Sequence, residues 1–362
     1  MRIAVITVAP TPYRDPVFAR LSDFQQDEVH VLYSTYREPN RDWSLNRFPQ
    51  NHIFLKERFL KKGDGINYIH FNPDVWNNLK RIDPDIIITQ GFNPTYLMSW
   101  LFSVIHKRKH IILFDDWLYL QSKLSKLHTA VRKMVFKHTH AFVGPGKHTA
   151  DLYRSYGIAE ERLFDSQLCA DDTLYTHNFP LAERPYDLMF IGRFHELKLP
   201  FFFTKVASKL AEKKPDLRLL IIGSGPLKEE FLSALDTANL TYDYPGFVQP
   251  DQLPTYYAKS KIMLFTTAHD AWGLVANEAL ISGTPVISTP YAGCKDDLVL
   301  HNKNGFILDT NPDEWVRHCE QLLNDASLWK TFSQNGVGTK DYFNYDQAAK
   351  GLYTACKYAF SN

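Results

Sequence analysis

At 362 residues the chain is longer than one compact core usually holds, and at roughly 100 to 200 residues per domain it predicts two domains. Hydrophobic residues make up 44% and charged residues 22%, a globular composition that excludes collagen-like, disordered and coiled-coil chains. Lys and Arg number 41 against 40 Asp and Glu, so the net charge of +1 supplies no global field for nucleic acid, and any basic footprint must be local.

The opening MRIAVITV reads as a buried strand rather than a signal peptide, having neither a long apolar region nor a small-residue cleavage site, which predicts a cytoplasmic protein. EVHVLYS, DIIIT, HIILF and HAFVGP follow as short apolar runs separated by helical stretches, the alternation of buried parallel strands with helices. Among those stretches, YLMSWLFSVI at residues 96–105 is too short to cross a bilayer and is expected as a core helix. A polar segment near HNFPLAERPYD interrupts the pattern, which restarts with YDLMFIG, LRLLIIG, KIMLFTT, TPVIST and NGFIL. The expectation is an α/β chain of two doubly wound, Rossmann-like domains, residues 1–174 and 186–338, with a final helix at about 344–362 packing back on the first. Open parallel sheets bind ligands beyond the carboxyl ends of their strands, so the site is expected in a crevice between the domains. Cys169, Cys294, Cys319 and Cys356 are far apart without a CxxC, against a zinc cluster or a disulfide framework.

The most informative segment is LFTTAHDAWGLVANEALISGTPVIST, residues 264–289. A strand leads to a loop holding Asp270, then Gly273 opens a helix that Gly283 and Pro285 stop. The first N–H groups of such a helix, at about Gly273, Leu274 and Val275, make an anion site that suits a phosphate. Glu278, early in the helix, could accept from both hydroxyls of a ribose. Alternatively, Glu278 offsets the helix dipole and Asp270 caps the loop. Just after YDLMFIG, Arg193 and Lys198 can both project over the strand's carboxyl end, either as cations that neutralise a diphosphate or as solvated surface groups. Gly223 and Gly225 mark a strand-to-helix turn with Pro226 at an expected first helical position, and Lys228 where a dinucleotide fingerprint needs its third glycine argues against NAD.

Over residues 191–306 the sequence resembles retaining glycosyltransferases of family 4, which have the GT-B fold of two Rossmann-like domains. The family's E-x7-E signature is met as Asp270 to Glu278 within DAWGLVANEA, with Asp in the place that Glu more often takes. The resemblance implies that Arg193 and Lys198, in GRFHELK, bind the donor diphosphate and stabilise the leaving group. It also implies that the turn at Gly223 borders the donor site, that the backbone near Val248 lines the base, that Asp270 grips the donor sugar, and that no bound metal or cofactor is needed. The DPD at 83–85 is likewise read as a turn into a strand rather than as a metal motif.

The amino half departs from the family pattern. APTPYRDPVF replaces the usual glycine-rich loop, leaving Arg14 either to meet a phosphate or acceptor group or to cap the helix DPVFARL from outside. IILFDDW places Asp115 or Asp116 where many members have His. A carboxylate there could orient or deprotonate the acceptor hydroxyl, or simply satisfy backbone N–H groups. From Trp117 to Ala150 no acid occurs, and Lys123, Lys126, Lys133 and Lys137 form a stripe beside an apolar helical face of Leu120, Leu124, Leu127, Val131, Met134 and Val135. The apolar face is expected in the core; the stripe is either a solvated surface or, with KRKH at 107–110, a dock for anionic lipid.

Together these readings predict a retaining, metal-independent transferase that moves a sugar from a UDP- or GDP-sugar to a hydroxyl of a glycan or lipid-linked acceptor in surface polysaccharide or lipopolysaccharide synthesis. It would be cytoplasmic or peripheral at the inner face of the plasma membrane and would have no nucleic-acid partner. The alternatives are a GT-B sugar-nucleotide epimerase and an inactive nucleotide-sugar-binding partner subunit.

Overall fold

The computed structural model describes residues 1–24, 27–38, 49, 51–62, 67–117, 124–176 and 179–362. The chain divides into two compact units, Met1–Leu168 with Tyr345–Asn362, and Cys169–Asn344.

In the first unit β1 (Arg2–Thr7) leads through α1 (Asp15–Leu21) to β2 (Glu28–Tyr33), β3 (Asn51–Phe54) and an antiparallel ribbon of β4 (Phe59–Lys62) and β5 (Asn67–His70). Then come α2 (Val75–Ile82), β6 (Ile86–Thr89), α3 (Pro94–Ile105), β7 (Lys109–Leu113), α4 (Lys126–Lys137), β8 (Ala141–Gly144), α5 (Gly146–Ser155) and β9 (Leu163–Asp165). The sheet runs β3-β2-β1-β6-β7-β8-β9 with every pairing parallel. Its central strands are buried on both faces, which is why they read as unbroken apolar runs rather than as alternating ones. One face packs Ala4, Ile6 and Ile87 under Val75 and Leu79 of α2 and, farther across the same face, Ile112 and Phe142 under Trp100 of α3 and Val135 and Phe136 of α4.

The second unit contains β10 (Tyr186–Ile191), α6 (Pro200–Ala211), β11 (Arg218–Ile222), α7 (Lys228–Thr237), β12 (Thr241–Gly246), α8 (Leu253–Ala258) and β13 (Ser260–Phe265). It continues with α9 (Leu274–Ile281), β14 (Val286–Ser288), β15 (Gly305–Ile307), α10 (Pro312–Asn324) and α11 (Ala326–Val337). Its sheet order is β12-β11-β10-β13-β14-β15, again all parallel. The final helix, α12 (Tyr345–Ser361), belongs to the first unit, where the Ser166 hydroxyl donates to the Ala348 carbonyl at 2.9 Å and the Tyr345 hydroxyl to the Pro12 carbonyl at 2.7 Å. Each unit is thus a doubly wound α/β domain, the two-domain composition expected of a GT-B chain.

Several expectations need correcting. The first unit ends at Leu168 rather than Leu174, because the following segment joins the second unit, where Ala170 N–H donates to Asn277 Oδ1 at 2.8 Å. β12 had no apolar run to reveal it, since TYDYPG alternates exposed and half-buried positions, and α7 starts at Lys228, after Pro226. On α3, Leu101, Val104 and Ile105 are exposed, so the helix is core on one side only. No helix among the described residues is long and apolar enough to cross a membrane. The buried face of α4 is Arg132, Val135 and Phe136, whereas Leu127 and Met134, expected in the core, are exposed on the same side as Lys126, Lys133 and Lys137. Lys123 and Leu120 lie outside the described residues.

Candidate functional site

The loops beyond the carboxyl ends of β10, β11 and β13 in the second unit build the site. Backbone bonds join the first two loops: Gly192 N–H donates to the Ile222 carbonyl at 3.1 Å and Phe194 N–H to the Ser224 carbonyl at 2.8 Å. A Cβ on Gly223 would stand 1.9 Å from the Gly192 carbonyl oxygen, so this glycine is accounted for by close backbone approach. Arg193 emerges from that junction, and its guanidinium makes no ion pair or hydrogen bond with another described residue.

A tight turn at Glu196–Lys198 docks on the loop after β13, where Ala268 N–H and the Thr267 hydroxyl both donate to the Leu197 carbonyl, at 2.8 and 3.0 Å. The Thr266 hydroxyl donates to the Lys198 carbonyl at 2.8 Å. This docking delivers the Lys198 ammonium to the Asp270 carboxylate, with which it forms an ion pair, and holds it 5.7 Å from the Phe265 ring centroid. Asp270 is itself fixed, its N–H donating to the Tyr291 carbonyl and its Oδ1 accepting from Trp272 N–H, each at 3.1 Å. The two cations expected to act together are therefore unlike: Lys198 is neutralised by Asp270, and Arg193 is available to an anion.

Gly273 opens α9 at φ 108°, and a Cβ there would lie 2.6 Å from the Phe265 ring and 2.9 Å from Cys294 Sγ. Only glycine brings the chain round this corner, and the N–H groups of Gly273, Leu274 and Val275 lie ahead of the first intrahelical acceptor. Glu278 is buried one turn on, and its Oε2 accepts from the Tyr257 hydroxyl at 2.6 Å, with a second bond from Tyr175. Burial lifts its carboxyl to about 7 against the pull of those two hydroxyls. Tyr175 and Tyr257 went unnoticed in the sequence, because neither stands at a helical or strand spacing from Glu278. Val248 is buried just past β12.

The first unit changes the reading of its candidates. Arg14 is buried, ion-paired with Asp115, and donates to the carbonyls of Ser166 at 3.1 Å and Gln167 at 3.3 Å. It therefore staples loops together, and although Arg14 occupies the N-cap position of α1 its side chain makes no cap bond there. Asp116 accepts from Arg132 at 3.3 Å and from Trp117 N–H at 2.9 Å, so of the two acids Asp115, with a side chain 32% exposed, keeps more contact with solvent. Asp83 and Asp85, rejected as metal ligands, hold Arg2 and Arg108 and the Arg2 N–H at the start of the sheet.

Residues 173–338 match the family described as glycosyl transferases group 1, and residues 19–164 match glycosyltransferase family 4. The chain carries a group 1 and a family 4 glycosyltransferase domain. The group 1 domain is the second unit with its Lys198–Asp270 pair, and the family 4 domain falls within the first. Among curated relatives, D-inositol 3-phosphate glycosyltransferase of Salinispora arenicola is 29% identical over 184 residues, 48% of this chain and 41% of that one. N-acetyl-alpha-D-glucosaminyl L-malate synthase of Bacillus anthracis is 24% identical over 207 residues, 57% of this chain and 52% of its own. The chain thus spans about half, or less, of the length of these relatives. Among solved structures, Anabaena HepE in complex with UDP superposes with a TM-score of 0.77 at 14% identity, covering 99% of this chain and all of that one, a likeness of fold.

Proposed function

We propose that the chain is a retaining, metal-independent glycosyltransferase that moves a sugar from a UDP- or GDP-sugar to a hydroxyl of a glycan or lipid-linked acceptor in surface polysaccharide or lipopolysaccharide synthesis. The observation that carries this reading is the Lys198–Asp270 ion pair seated beside the Gly273 start of α9. Relatives named as glycosyltransferases, and a similar fold solved with UDP, with UDP-glucose, and with UDP and glucose, support it.

Arg193 and the first N–H groups of α9 would take the donor diphosphate, and ionised Glu278 would accept from the ribose hydroxyls. Lys198 has ammonium protons beyond the one facing Asp270. It can donate to the phosphate oxygen from which the sugar departs, while Asp270 accepts from sugar hydroxyls. The ion pair then spans the glycosyl–phosphate bond, with its positive end where negative charge develops. The acceptor oxygen attacks C1 from the face the diphosphate leaves, the C1–O bond breaks with its electron pair going to the diphosphate, and the acceptor's hydroxyl proton passes to the departing phosphate oxygen. In the first unit, Asp115 would orient an acceptor hydroxyl through the oxygen that Arg14 leaves. A peripheral contact with anionic lipid through Lys126, Lys133 and Lys137 belongs to the same reading, since Leu127 and Met134 share their exposed face.

A thermal-shift series with nucleoside diphosphates and their sugars tests the donor assignment, because a ligand that binds only the folded state raises its stability. A larger shift with one UDP- or GDP-sugar than with its parent diphosphate is expected. No shift at millimolar ligand would sink the reading.

A further inference from the structure

At the amino ends of β7 and β8, away from the loops that carry Arg14 and Asp115, the first unit has a concavity of about 510 Å³. The last turns of α3, α4 and α12 frame it through Val104, Lys137 and Tyr358. Seven of its twelve lining residues are Lys, Arg or His, and none is Asp or Glu. Asp83 neutralises Arg108 from outside. Lys107, Lys109 and Lys137 have no ion pair with any described residue. Arg162 faces only carbonyls, those of Thr139 and of His140, the latter at 3.1 Å, and lies over the Phe142 ring.

Cations at helix C-termini often do no more than offset the dipole, so the magnitude decides. Three helix ends supply roughly −1.5 charges. With Asp83 added, the five Lys and Arg still leave a positive excess. His140 senses it: burial, then Lys109 and Arg162, hold its imidazole below the ordinary range. Ammonium and guanidinium groups converging on a recess of this size recognise phosphate oxygens.

We propose that this concavity is an anion site for phosphate-bearing groups, separate from the donor loops of the second unit. Two sources share that chemistry, a phospholipid headgroup and a soluble phosphate ester. Exposed Leu101 and Ile105 on α3, beside Val104 at the rim, suit the first.

The test titrates the whole chain with inorganic pyrophosphate and follows the His138 and His140 imidazole resonances, which report this recess and not the Arg193 loop. In parallel the chain is sedimented with phosphatidylcholine vesicles with and without phosphatidylglycerol. Lys107→Glu/Lys109→Glu should weaken whichever probe binds by roughly ten-fold or more, and Lys107→Arg/Lys109→Arg should retain it. Pyrophosphate raising the titration of His140 identifies a soluble source. Sedimentation that requires phosphatidylglycerol, without a pyrophosphate response, identifies a lipid headgroup. No response in either arm, or binding that survives charge reversal, overturns the proposal. If circular dichroism shows the double reversal unfolded, Lys107→Glu alone decides by the same criteria.

Discussion

The Tyr257 hydroxyl donates to Glu278 Oε2 across 2.6 Å, a bond between two buried side chains. Glu278 has an ordinary value of 4.5 and is held at about 7 by burial. Between those values the folded chain keeps a proton that the unfolded chain has released. The stability it contributes is therefore fully present below 4.5 and is lost as pH rises through about 7. Glu278→Gln has no such proton, so its melting temperature should fall less over that interval than that of the unaltered chain. Parallel melting curves across the interval would show that Glu278 does not titrate there.

The same carboxylate sets the pH dependence of nucleotide binding. If Glu278 accepts from ribose, UDP or GDP affinity should rise as pH climbs through about 7. Tyr257→Phe removes a bond that favours the ionised form and should move the midpoint upward. Calorimetric titration at several pH values reads both, and a midpoint unmoved by Tyr257→Phe would break the link between the two residues.

Lys198→Ala should lower turnover of the nucleotide sugar by roughly a hundred-fold while changing donor affinity much less, because its charge counts most when the leaving diphosphate forms. Arg193→Ala should instead weaken donor binding, since that guanidinium has no partner of its own among the described residues. Steady-state rates and equilibrium binding of the two variants separate these effects. Equal losses of rate and affinity in both would mean that the two cations act alike.

What the sequence made legible was local. Asp270, Gly273 and Glu278 sit within nine residues, so a strand, a loop and a helix start could be read as one anion-binding corner. The Lys198–Asp270 pair joins residues 72 positions apart, and only the docking of the Leu197 carbonyl on Thr267 and Ala268 creates it. The partners of Arg14 were hidden for a related reason: Asp115 and the carbonyls at 166–167 lie more than a hundred positions away until the chain folds them around it. The α4 pattern failed differently. Arg132 entered the core stacked between Phe92 and Phe114, displacing Leu127 and Met134 to the surface.

Arg14→Met tests the stapling role of that guanidinium. The change removes an ion pair and leaves the 166–167 carbonyls short of a donor, which should destabilise the first unit by about 1–3 kcal/mol. Nucleotide affinity, a property of the second unit in this reading, should be unchanged. Urea unfolding with a parallel UDP titration measures both. An unaltered unfolding midpoint, with acceptor use lost, would return Arg14 to the acceptor side.

Gly273→Ala addresses the corner itself. The native φ of 108° is one that alanine adopts only with strain, costing about 1–3 kcal/mol. Its Cβ would also meet the Phe265 ring at 2.6 Å, an overpacking of about 1–3 kcal/mol more. Phe265→Leu in the same chain should relieve the ring's share of the second cost and leave the first, together with the 2.9 Å contact with Cys294 Sγ, so the double variant should recover part of the lost stability in urea unfolding. Because the strained residue also aims the first N–H groups of α9, the recovered stability should not bring back full diphosphate affinity. A double variant that regained both would mean that the left-handed turn at Gly273 serves packing alone and that the anion is held elsewhere.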